Sequence, residues 1–432
     1  MRMARAFSAV LALLVFLTSC SPGDPEIGQP EDGRPARPEE LRGVELNYLY
    51  FTDGPDELAT RAIAEKFEQA TGARVNLQLV AYADLERTLQ ARLAGDNPPD
   101  VARTQDLNAY RNDLLNLRPY LSDPAFADAF LDDASRAVRG PSGELLGVPS
   151  DLTVNAPFVN LDLFEKAGVP VPERWTWPEL VAAAQKVKQA TGKPFALAMD
   201  KSGHRLATVL SQFGTTFFDL EGRPALDVAK ATKALALFTG LHEDGSMSKD
   251  FWLESGSRYK GANEIFLAQD APVYFSGNWQ VSQLVSNSAF RWAAAPNPCA
   301  ERCGGFPGGK YMVSFKQSKH RAAAAAFIEW MNAAQRQREL VAKAQFLPTR
   351  KDLVNTGVNY PERLEDMRLL INEVRQVPAE AYTTNASAAF VRTANALRDE
   401  VSKVLSGQGT PEDAARAVRT VSERAYAEAG GR

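Results

Sequence analysis

The sequence predicts an α/β protein with two lobes, each built on a mainly parallel sheet flanked by helices. Two observations lead to this prediction. The chain has 432 residues, which is too long for one ordinary hydrophobic core and is typical of two domains. Strand-like and helix-like periods also alternate along the chain, and a β-α-β order predicts parallel strands covered by helices.

The first β-α-β unit opens the predicted fold. Apolar residues alternate through 44–50 as they do in a half-buried strand. They then follow one helix face through 59–70, and Gly72 ends that helix. Alternation returns through 75–79. Two parallel strands joined by a helix are therefore expected here.

The same pattern continues along the chain. Thr176 and Glu179 form a capping box, with Pro178 in the first turn, and the helix that they open runs to Gly192. A strand is predicted at 195–199. Further helices are predicted at 228–243, at 321–336 and from Pro361 onward, with a break near Gly407–Pro411. No short-period repeat and no internal membrane span is predicted.

Composition excludes several classes of function. The 49 Lys and Arg residues nearly balance the 53 Asp and Glu residues, giving a net charge of -4. A mildly acidic chain without a basic run is not expected to bind nucleic acid. His204, His242 and His320 are far apart in sequence and have no metal-type partners at short spacing. We therefore expect no metal and no cofactor.

The first twenty residues are typical of an export signal. Arg2 and Arg5 precede an apolar run, 6–17, that is too short to span a bilayer comfortably. The following Leu-Thr-Ser-Cys resembles the bacterial lipoprotein processing box, which implies that Cys20 is acylated and anchors the protein to the membrane. A plain signal peptide with an incidental cysteine is the alternative. Residues 21–42 are rich in Pro, Gly and Glu and are predicted to be a flexible tether.

Export also bears on the two remaining cysteines. Cys299 and Cys303 are an even pair in an oxidising compartment, so a disulfide that fixes a turn is expected. A redox-active pair is the alternative, although such pairs have two intervening residues rather than three.

One stretch of the sequence resembles a known family. Residues 143–168 read GELLGVPSDLTVNAPFVNLDLFEKAG, and a helix start containing Thr-Trp follows. Further segments resemble the same family in the same order and lie at 98–101, 114–121, 270–279, 294–298, 304–309 and 347–350. Together they resemble the extracellular solute-binding proteins of ABC importers typified by maltose- and oligosaccharide-binding proteins. The cysteine pair and the Ser-Gly-Asn-Trp at 276–279 depart from the family pattern.

The resemblance implies the type II periplasmic-binding-protein-like fold, in which the chain crosses three times between lobes. The crossings are expected near 148–151, 292–295 and 346–350. Lobe one would comprise 43–150 with 295–345, and lobe two 151–294 with 346–432. The resemblance further implies a monomeric, non-enzymatic protein that captures a carbohydrate, a disaccharide or oligosaccharide, by hinge closure. It would deliver this ligand to ABC permease subunits from the outer face of the cell membrane, or from a periplasm.

Sugars are held by carboxylates and amides that engage paired hydroxyls, and by aromatic faces packed against the ring. Candidate residues are therefore polar or aromatic and lie at strand ends or crossings, where the family places its cleft. They are Asp53, Thr104, Asp106, Asp151, Asn155, Asn278, Trp279, Trp292, Gly308, Gly309 and Arg350. The two glycines let backbone N–H groups approach a ligand. Turn formation, helix capping and hinge support are the alternative roles for the aspartates, Asn155 and Arg350.

The sequence also leaves alternatives to sugar binding. Gly304–Lys310 fits a phosphate-binding loop, but Tyr311 stands where that loop needs Ser or Thr. The same fold could bind a glycerophosphodiester or a polyamine instead of a sugar. A secreted carbohydrate-active enzyme that uses Asp53, Asp106 and Asp151 as its acid and base is the remaining alternative.

Overall fold

A computed structural model describes residues 33–54 and 56–430. The leader at 1–20 with Cys20, and residues 21–32 of the predicted tether, lie outside the described residues. The strands are β1 Glu45–Tyr50, β2 Arg74–Leu79, β3 Val101–Thr104, β4 Val148–Asn160, β5 Leu197–Met199, β6 Val273–Gly277, β7 Trp292–Ala294 and β8 Pro307–Val313.

Helices cover most of the remaining described chain. The first nine are α1 Pro38–Leu41, α2 Asp56–Thr71, α3 Leu85–Ala94, α4 Asp132–Ser135, α5 Leu161–Lys166, α6 Trp177–Thr191, α7 Gly203–Gln212, α8 Val228–Glu243 and α9 Lys249–Leu253. The next nine are α10 Ala262–Leu267, α11 Gln280–Asn287, α12 Arg321–Asn332, α13 Ala334–Ala344, α14 Lys351–Thr356, α15 Leu364–Gln376, α16 Ala379–Ala386, α17 Phe390–Leu405 and α18 Pro411–Glu428. None of the helices in these ranges combines the length and apolar character that a bilayer span requires.

The two-lobed α/β fold is confirmed, but the pairing within each sheet is mixed. The first sheet has the order β2-β1-β3-β8-β4, with β1 parallel to β2 and β3. In the second sheet β5 and β6 are parallel, while β4 pairs antiparallel with β6 and β7. The prediction that each sheet is mainly parallel is therefore wrong, because both sheets contain antiparallel pairs. The β-α-β units supply the parallel pairs, whereas β4 and β8 run antiparallel to their neighbours.

Strand β4 belongs to both sheets. Its residues 148–154 pair with β8, and residues 155–160 pair with β6 and β7. All thirteen of its residues are buried. A single continuous strand therefore makes the first passage between lobes.

Within the described part of the chain, three hydrophobic cores support the two sheets. The first contains buried side chains from 41–148 and 311–340. Val273 and Phe275 of β6 lie in the second core, whereas the intervening Tyr274 lies in the third. Because successive side chains of a strand point to opposite faces, these two cores cover opposite faces of the second sheet.

The second crossing lies later in the chain than predicted. Ala295 and Phe306 both pack in the second core. The backbone N–H of Cys299 donates to the Trp175 carbonyl at 2.9 Å, and the Trp177 N–H donates to the Cys299 carbonyl at 3.1 Å. These bonds hold 295–306 against the second lobe until β8 begins, so the expected boundary near 295 moves to about 307. The other lobe boundaries stay predictions. The sulfur atoms of Cys299 and Cys303 lie at bonding distance.

The end of the predicted tether is folded against the first lobe. Arg34 and Arg37 both donate to the Glu40 carboxylate, at 2.7 and 2.6 Å. Leu41, at the end of α1, is buried in the first core. The prediction of a flexible tether to residue 42 is therefore wrong for 34–42, because these ion pairs and this apolar contact order them.

Gly203 marks a close contact between two helices of the second lobe. It begins α7, and a Cβ atom added there would lie closer than 3.0 Å to the Ala394 carbonyl of α17. We expect Gly203→Ala to destabilise the protein by about 1–3 kcal/mol, because the two helices must separate. Urea unfolding measures this change.

Gly240 provides the matched control. It lies within α8, and a Cβ atom there meets nothing within 4 Å. Gly240→Ala should stabilise the protein by up to about 1 kcal/mol, since alanine favours helix over glycine. Equal stability of Gly203→Ala and wild type would show that the two helices do not pack this tightly.

Candidate ligand-binding cleft

A cleft of about 570 Å³ lies between the two lobes. The first lobe contributes residues that follow β1, β2 and β3, and the second lobe contributes the start of α7, Trp279 and parts of α16 and α17. Strand β8 forms part of its floor. The residues that line it include Phe51, Asp53, Tyr82, Glu86, Thr104, Asp106, His204, Arg205, Trp279, Gly308, Gly309 and Lys310.

Asp53 presents a fixed carboxylate to the cleft. Its Oδ2 accepts from Arg103 Nη2 at 3.0 Å and lies 3.2 Å from Lys310 Nζ. Burial alone would raise the pKa of Asp53, but the charges of Lys310 and Arg103 outweigh it and lower the pKa. Its Oδ1 has no hydrogen-bond partner among the described residues. That oxygen can accept a hydrogen bond from a ligand hydroxyl.

Thr104 and Asp106 also line the cleft, as predicted. Asp106 Oδ1 accepts from the backbone N–H groups of Asn108 and Ala109, at 3.0 and 3.2 Å. Thr104 Oγ1 accepts from the Asp106 N–H at 3.3 Å. These contacts give both residues a turn-forming role at the cleft wall.

Two aromatic side chains offer ring surface in the cleft. Trp279 is half-buried, with the Arg205 guanidinium 4.2 Å from its ring centre. Tyr82 is 53% exposed and packs on Phe51 with ring centres 5.1 Å apart. Tyr82 was not predicted. It follows the carboxyl end of β2, so the rule that selected Asp53 could have found it.

Three predicted residues lie behind the cleft rather than in its lining. Asp151 is 2% exposed and accepts from Arg103 Nη2 at 3.1 Å. Asn278 Oδ1 accepts from the Val154 N–H at 2.9 Å, which ties the loop after β6 to β4. Asn155 Oδ1 accepts from Arg205 Nη1 at 2.9 Å. These positions favour supporting roles for all three side chains.

Trp292 and Arg350 lie away from the cleft lining. Trp292 is 4% exposed and packs against Phe158, with the Arg363 guanidinium 3.7 Å from its ring centre. It lies in β7, well before the second crossing, which explains its misplacement. Arg350 stacks on Phe130 and pairs with Asp352 at 3.0 Å. Ligand contact by Trp292 and Arg350 stays a prediction. Their positions outside the cleft lining do not favour it.

Gly308 and Gly309 lie on the cleft floor because β4 and β8 approach closely there. A Cβ atom on Gly308 would lie closer than 3.0 Å to Thr153 Oγ1, and one on Gly309 would lie 3.0 Å from the Asp151 carbonyl. Lys310 follows within the strand β8, whereas a phosphate-binding loop leads into a helix. The glycines therefore serve strand packing and leave backbone exposed to the cleft.

The cations that organise the site were not predicted from the sequence. Arg103 is 2% exposed within β3, and Arg205 and Lys310 line the cleft itself. An arginine inside a strand of otherwise apolar or small residues was the available signal for Arg103. His204 also lines the cleft, and burial together with the Arg205 charge lowers its pKa to about 3, so its ring is neutral.

Known proteins share this sequence pattern. The family profile described as bacterial extracellular solute-binding protein matches residues 62–363. An arabinooligosaccharide-binding protein of Bacillus subtilis is 24% identical over 329 residues, which cover 72% of this chain and 74% of that protein. Another from Halalkalibacterium halodurans is 24% identical over 361 residues, 78% of each chain.

Solved structures share the fold. The GacH receptor of Streptomyces glaucescens, solved unliganded and with acarbose, superposes with a TM-score of 0.74 at 21% identity, covering 89% of this chain and 98% of that one. The cyclic α-maltosyl-1,6-maltose binding protein of Arthrobacter globiformis superposes with a TM-score of 0.73 at 21% identity, covering 89% and 99%. With the profile match over most of its length, the chain belongs to the family of bacterial extracellular solute-binding proteins.

Proposed function

We propose that this protein captures a carbohydrate, a disaccharide or oligosaccharide, in the interlobe cleft and delivers it to an ABC importer after hinge closure. The observation that carries the proposal is the pairing, in one cleft, of the fixed Asp53 carboxylate with the ring surfaces of Tyr82 and Trp279. A carboxylate oxygen suits sugar hydroxyls, and aromatic rings suit the apolar faces of sugars. The names of the relatives and of the solved complexes support the same class of ligand.

The charges of the cleft favour an uncharged ligand. Lys310 Nζ lies 3.2 Å from Asp53 and 3.6 Å from Asp151, and Arg205 Nε donates to Asp200 at 3.2 Å. A glycerophosphodiester would need cations whose charge is not already balanced by a carboxylate. Three carboxylates line the described part of the cleft. Asp53 is ion-paired and Asp106 accepts hydrogen bonds from the backbone, whereas Glu86 has neither kind of partner among the described residues. One such group is fewer than a polyamine requires.

Thermal unfolding of the soluble form, residues 21–432, tests the proposal. The panel contains monosaccharides, disaccharides, arabinotriose and maltotriose, together with a glycerophosphodiester and a polyamine. A ligand at 100 times its dissociation constant should stabilise the protein by about 2.7 kcal/mol. A shift with a sugar that is not consumed supports the proposal. A shift with only the phosphodiester or the polyamine contradicts the sugar, and consumption of the sugar indicates an enzyme.

Trp279→Ala should weaken binding of the sugar that stabilises the wild type. Loss of ring stacking is expected to cost about 1–3 kcal/mol of binding free energy, by analogy with stacking on nucleic-acid bases. Isothermal titration calorimetry measures the difference. Trp292→Phe is the control, because Trp292 is buried outside the cleft and its replacement should leave affinity unchanged. The opposite pattern, with loss only for Trp292→Phe, would place the site elsewhere.

We further propose that Cys20 is acylated and anchors the protein to the outer face of the cell membrane. The support is the position of Cys20 directly after the apolar run of the leader. In the native host, Cys20→Ala is expected to move the protein from the membrane fraction to the soluble exported fraction. Unchanged membrane retention of this variant would contradict the anchor.

We also propose that Cys299 and Cys303 form a disulfide on export. Their sulfur atoms lie at bonding distance, and the backbone of Cys299 is hydrogen-bonded to Trp175 and Trp177 at the start of α6. Iodoacetamide should label neither residue in the unfolded protein until a reductant is added. Labelling of both without reductant would show that the thiols are free.

A further inference from the structure

Arg205 is held rigidly in the wall of the cleft. Its Nε donates to Asp200 Oδ2 at 3.2 Å, and its Nη1 donates to Asn155 Oδ1 at 2.9 Å. Asp200 is itself fixed, because Tyr274 and Ser276 donate to its two oxygens at 2.7 and 2.5 Å. The side chain of Arg205 is 13% exposed. The guanidinium plane is therefore set by the protein rather than by solvent.

The same guanidinium supports the aromatic surface of the cleft. Its central carbon lies 4.2 Å from the ring centre of Trp279. On another side, the indole ring is so close to Gly277 that an added Cβ atom would lie closer than 3.0 Å to it. Arg205 and Gly277 thus confine Trp279 to one orientation. Displacing Arg205 from the ring would break its hydrogen bonds to Asp200 and Asn155. We therefore expect Arg205 and Trp279 to stay stacked when a ligand binds.

One edge of Arg205 remains available to a ligand. Nε and Nη1 are engaged, whereas Nη2 has no hydrogen-bond partner among the described residues, and Arg205 lines the cleft. Nη2 carries two N–H donors. A hydroxyl oxygen of a sugar can accept a hydrogen bond from one of these N–H groups.

We propose that Arg205 is a specificity-determining residue, which donates from Nη2 to a hydroxyl of the sugar bound in the cleft beside Trp279. This proposal rests on the proposed carbohydrate function. It assigns the second lobe a donor that complements the acceptor oxygen of Asp53 in the first lobe. A ligand that lacks a hydroxyl at the position facing Nη2 would be bound more weakly than one that has it.

The test compares Arg205→Lys and Arg205→Gln with a matched control. Lysine keeps the charge but loses the planar fork, and glutamine loses the charge. Arg258 is the control, because it also stacks on an aromatic ring, that of Tyr259, and pairs with an aspartate, Asp270, yet is largely exposed and outside the cleft. Affinity for the sugar of the panel that stabilises the wild type, arabinotriose or maltotriose, is measured by calorimetry. Tryptophan emission of the ligand-free proteins is recorded in parallel.

Both Arg205 variants should bind roughly 10- to 100-fold more weakly, as expected for loss of hydrogen bonds from a charged donor. Arg258→Lys should bind like the wild type. Emission should change in the Arg205 variants, and that change should vanish when Trp279 is also replaced by phenylalanine. Wild-type affinity in Arg205→Lys, with emission changed, would overturn the ligand contact.

The two readouts separate this proposal from the function on which it rests. If neither trisaccharide, nor any other sugar, stabilises the wild type, the carbohydrate function fails, and a specificity role for Arg205 toward sugars is overturned with it. Tryptophan emission of the ligand-free proteins then still tests whether Arg205 stacks on Trp279. Unchanged emission on replacing Arg205 would show that it does not position Trp279.

Discussion

Arg103→Met is expected to destabilise the protein by about 3–5 kcal/mol, the usual cost of removing one partner from a buried ion-pair network. Arg103 is 2% exposed and donates to Asp53, Asp56 and Asp151 at 3.0, 3.3 and 3.1 Å. Asp56 is fully buried, and Asp151 is 2% exposed. Methionine fills much of the space but leaves these carboxylates without their guanidinium.

Lys310 cannot compensate for this loss. Its Nζ lies 3.2 Å from Asp53 and 3.6 Å from Asp151, but no ion pair joins it to Asp56 among the described residues. Arg103 also packs against the ring of Phe346, with 5.0 Å between its central carbon and the ring centre. The substitution therefore weakens the contacts of β3 with β4 and with Phe346.

Urea unfolding of Arg103→Met and Arg87→Met measures the effect against a matched control. Arg87 also pairs with an aspartate, Asp84, at 2.6 Å, but its side chain is 81% exposed. Exposed pairs contribute roughly 0–1 kcal/mol, so Arg87→Met should change stability little. A loss below about 1 kcal/mol for Arg103→Met would show that the buried carboxylates become protonated or hydrated at little cost.

Local signals predicted the elements that depend on neighbouring residues. The helix predicted at 228–243 has those bounds, and the capping box of Thr176 and Glu179 opens α6, which ends before a left-handed Gly192. The single helix predicted at 321–336 is instead two helices separated at Ala333. Alanine favours helix at every position, so an alanine-rich segment carries no local signal for a break.

The pairing of strands that lie far apart in the chain could not be predicted from the sequence. Strand β4 pairs with β8, more than 140 residues later along the chain, and no local pattern encodes that register. The same dependence on long-range contacts explains which cleft residues could be predicted. The rule that ligands gather at strand ends placed Asp53, Thr104 and Asp106 at the cleft, since it depends only on where a strand ends. Arg205 enters the cleft because α7 packs beside β4, which depends on the assembled second lobe.

Glu373→Gln is expected to make the protein more stable at pH 8 by up to about 3 kcal/mol and to leave its stability unchanged at pH 4. Glu373 lies on α15 and is 3% exposed. Its carboxylate accepts from the Asn297 backbone N–H at 3.4 Å and from Asn297 Nδ2 at 2.7 Å. Burial raises the pKa of Glu373 to about 7, more than these two hydrogen bonds lower it.

The direction of the pH dependence follows from this raised pKa. Below about pH 4.3, the ordinary pKa of Glu, the side chain is protonated in both the folded and the unfolded chain. Between there and pH 7 only the unfolded chain releases the proton, so rising pH favours unfolding by about 1.4 kcal/mol per unit. Above pH 7 both forms are ionised, and the loss is constant. Glutamine does not titrate, so it removes this loss.

Urea unfolding at pH 4, 6 and 8 tests the expectation, with Glu365→Gln as control. Glu365 lies on the same helix with its side chain 81% exposed, and its replacement should have little effect at any of these pH values. Other groups titrate over this range, but they do so equally in variant and wild type, so the difference in free energy isolates Glu373. A difference that is the same at pH 4 and pH 8 would show that Glu373 has an ordinary pKa. Asn297 also donates to the Asn155 carbonyl at 2.8 Å, so it links Glu373 to the strand that supports the cleft.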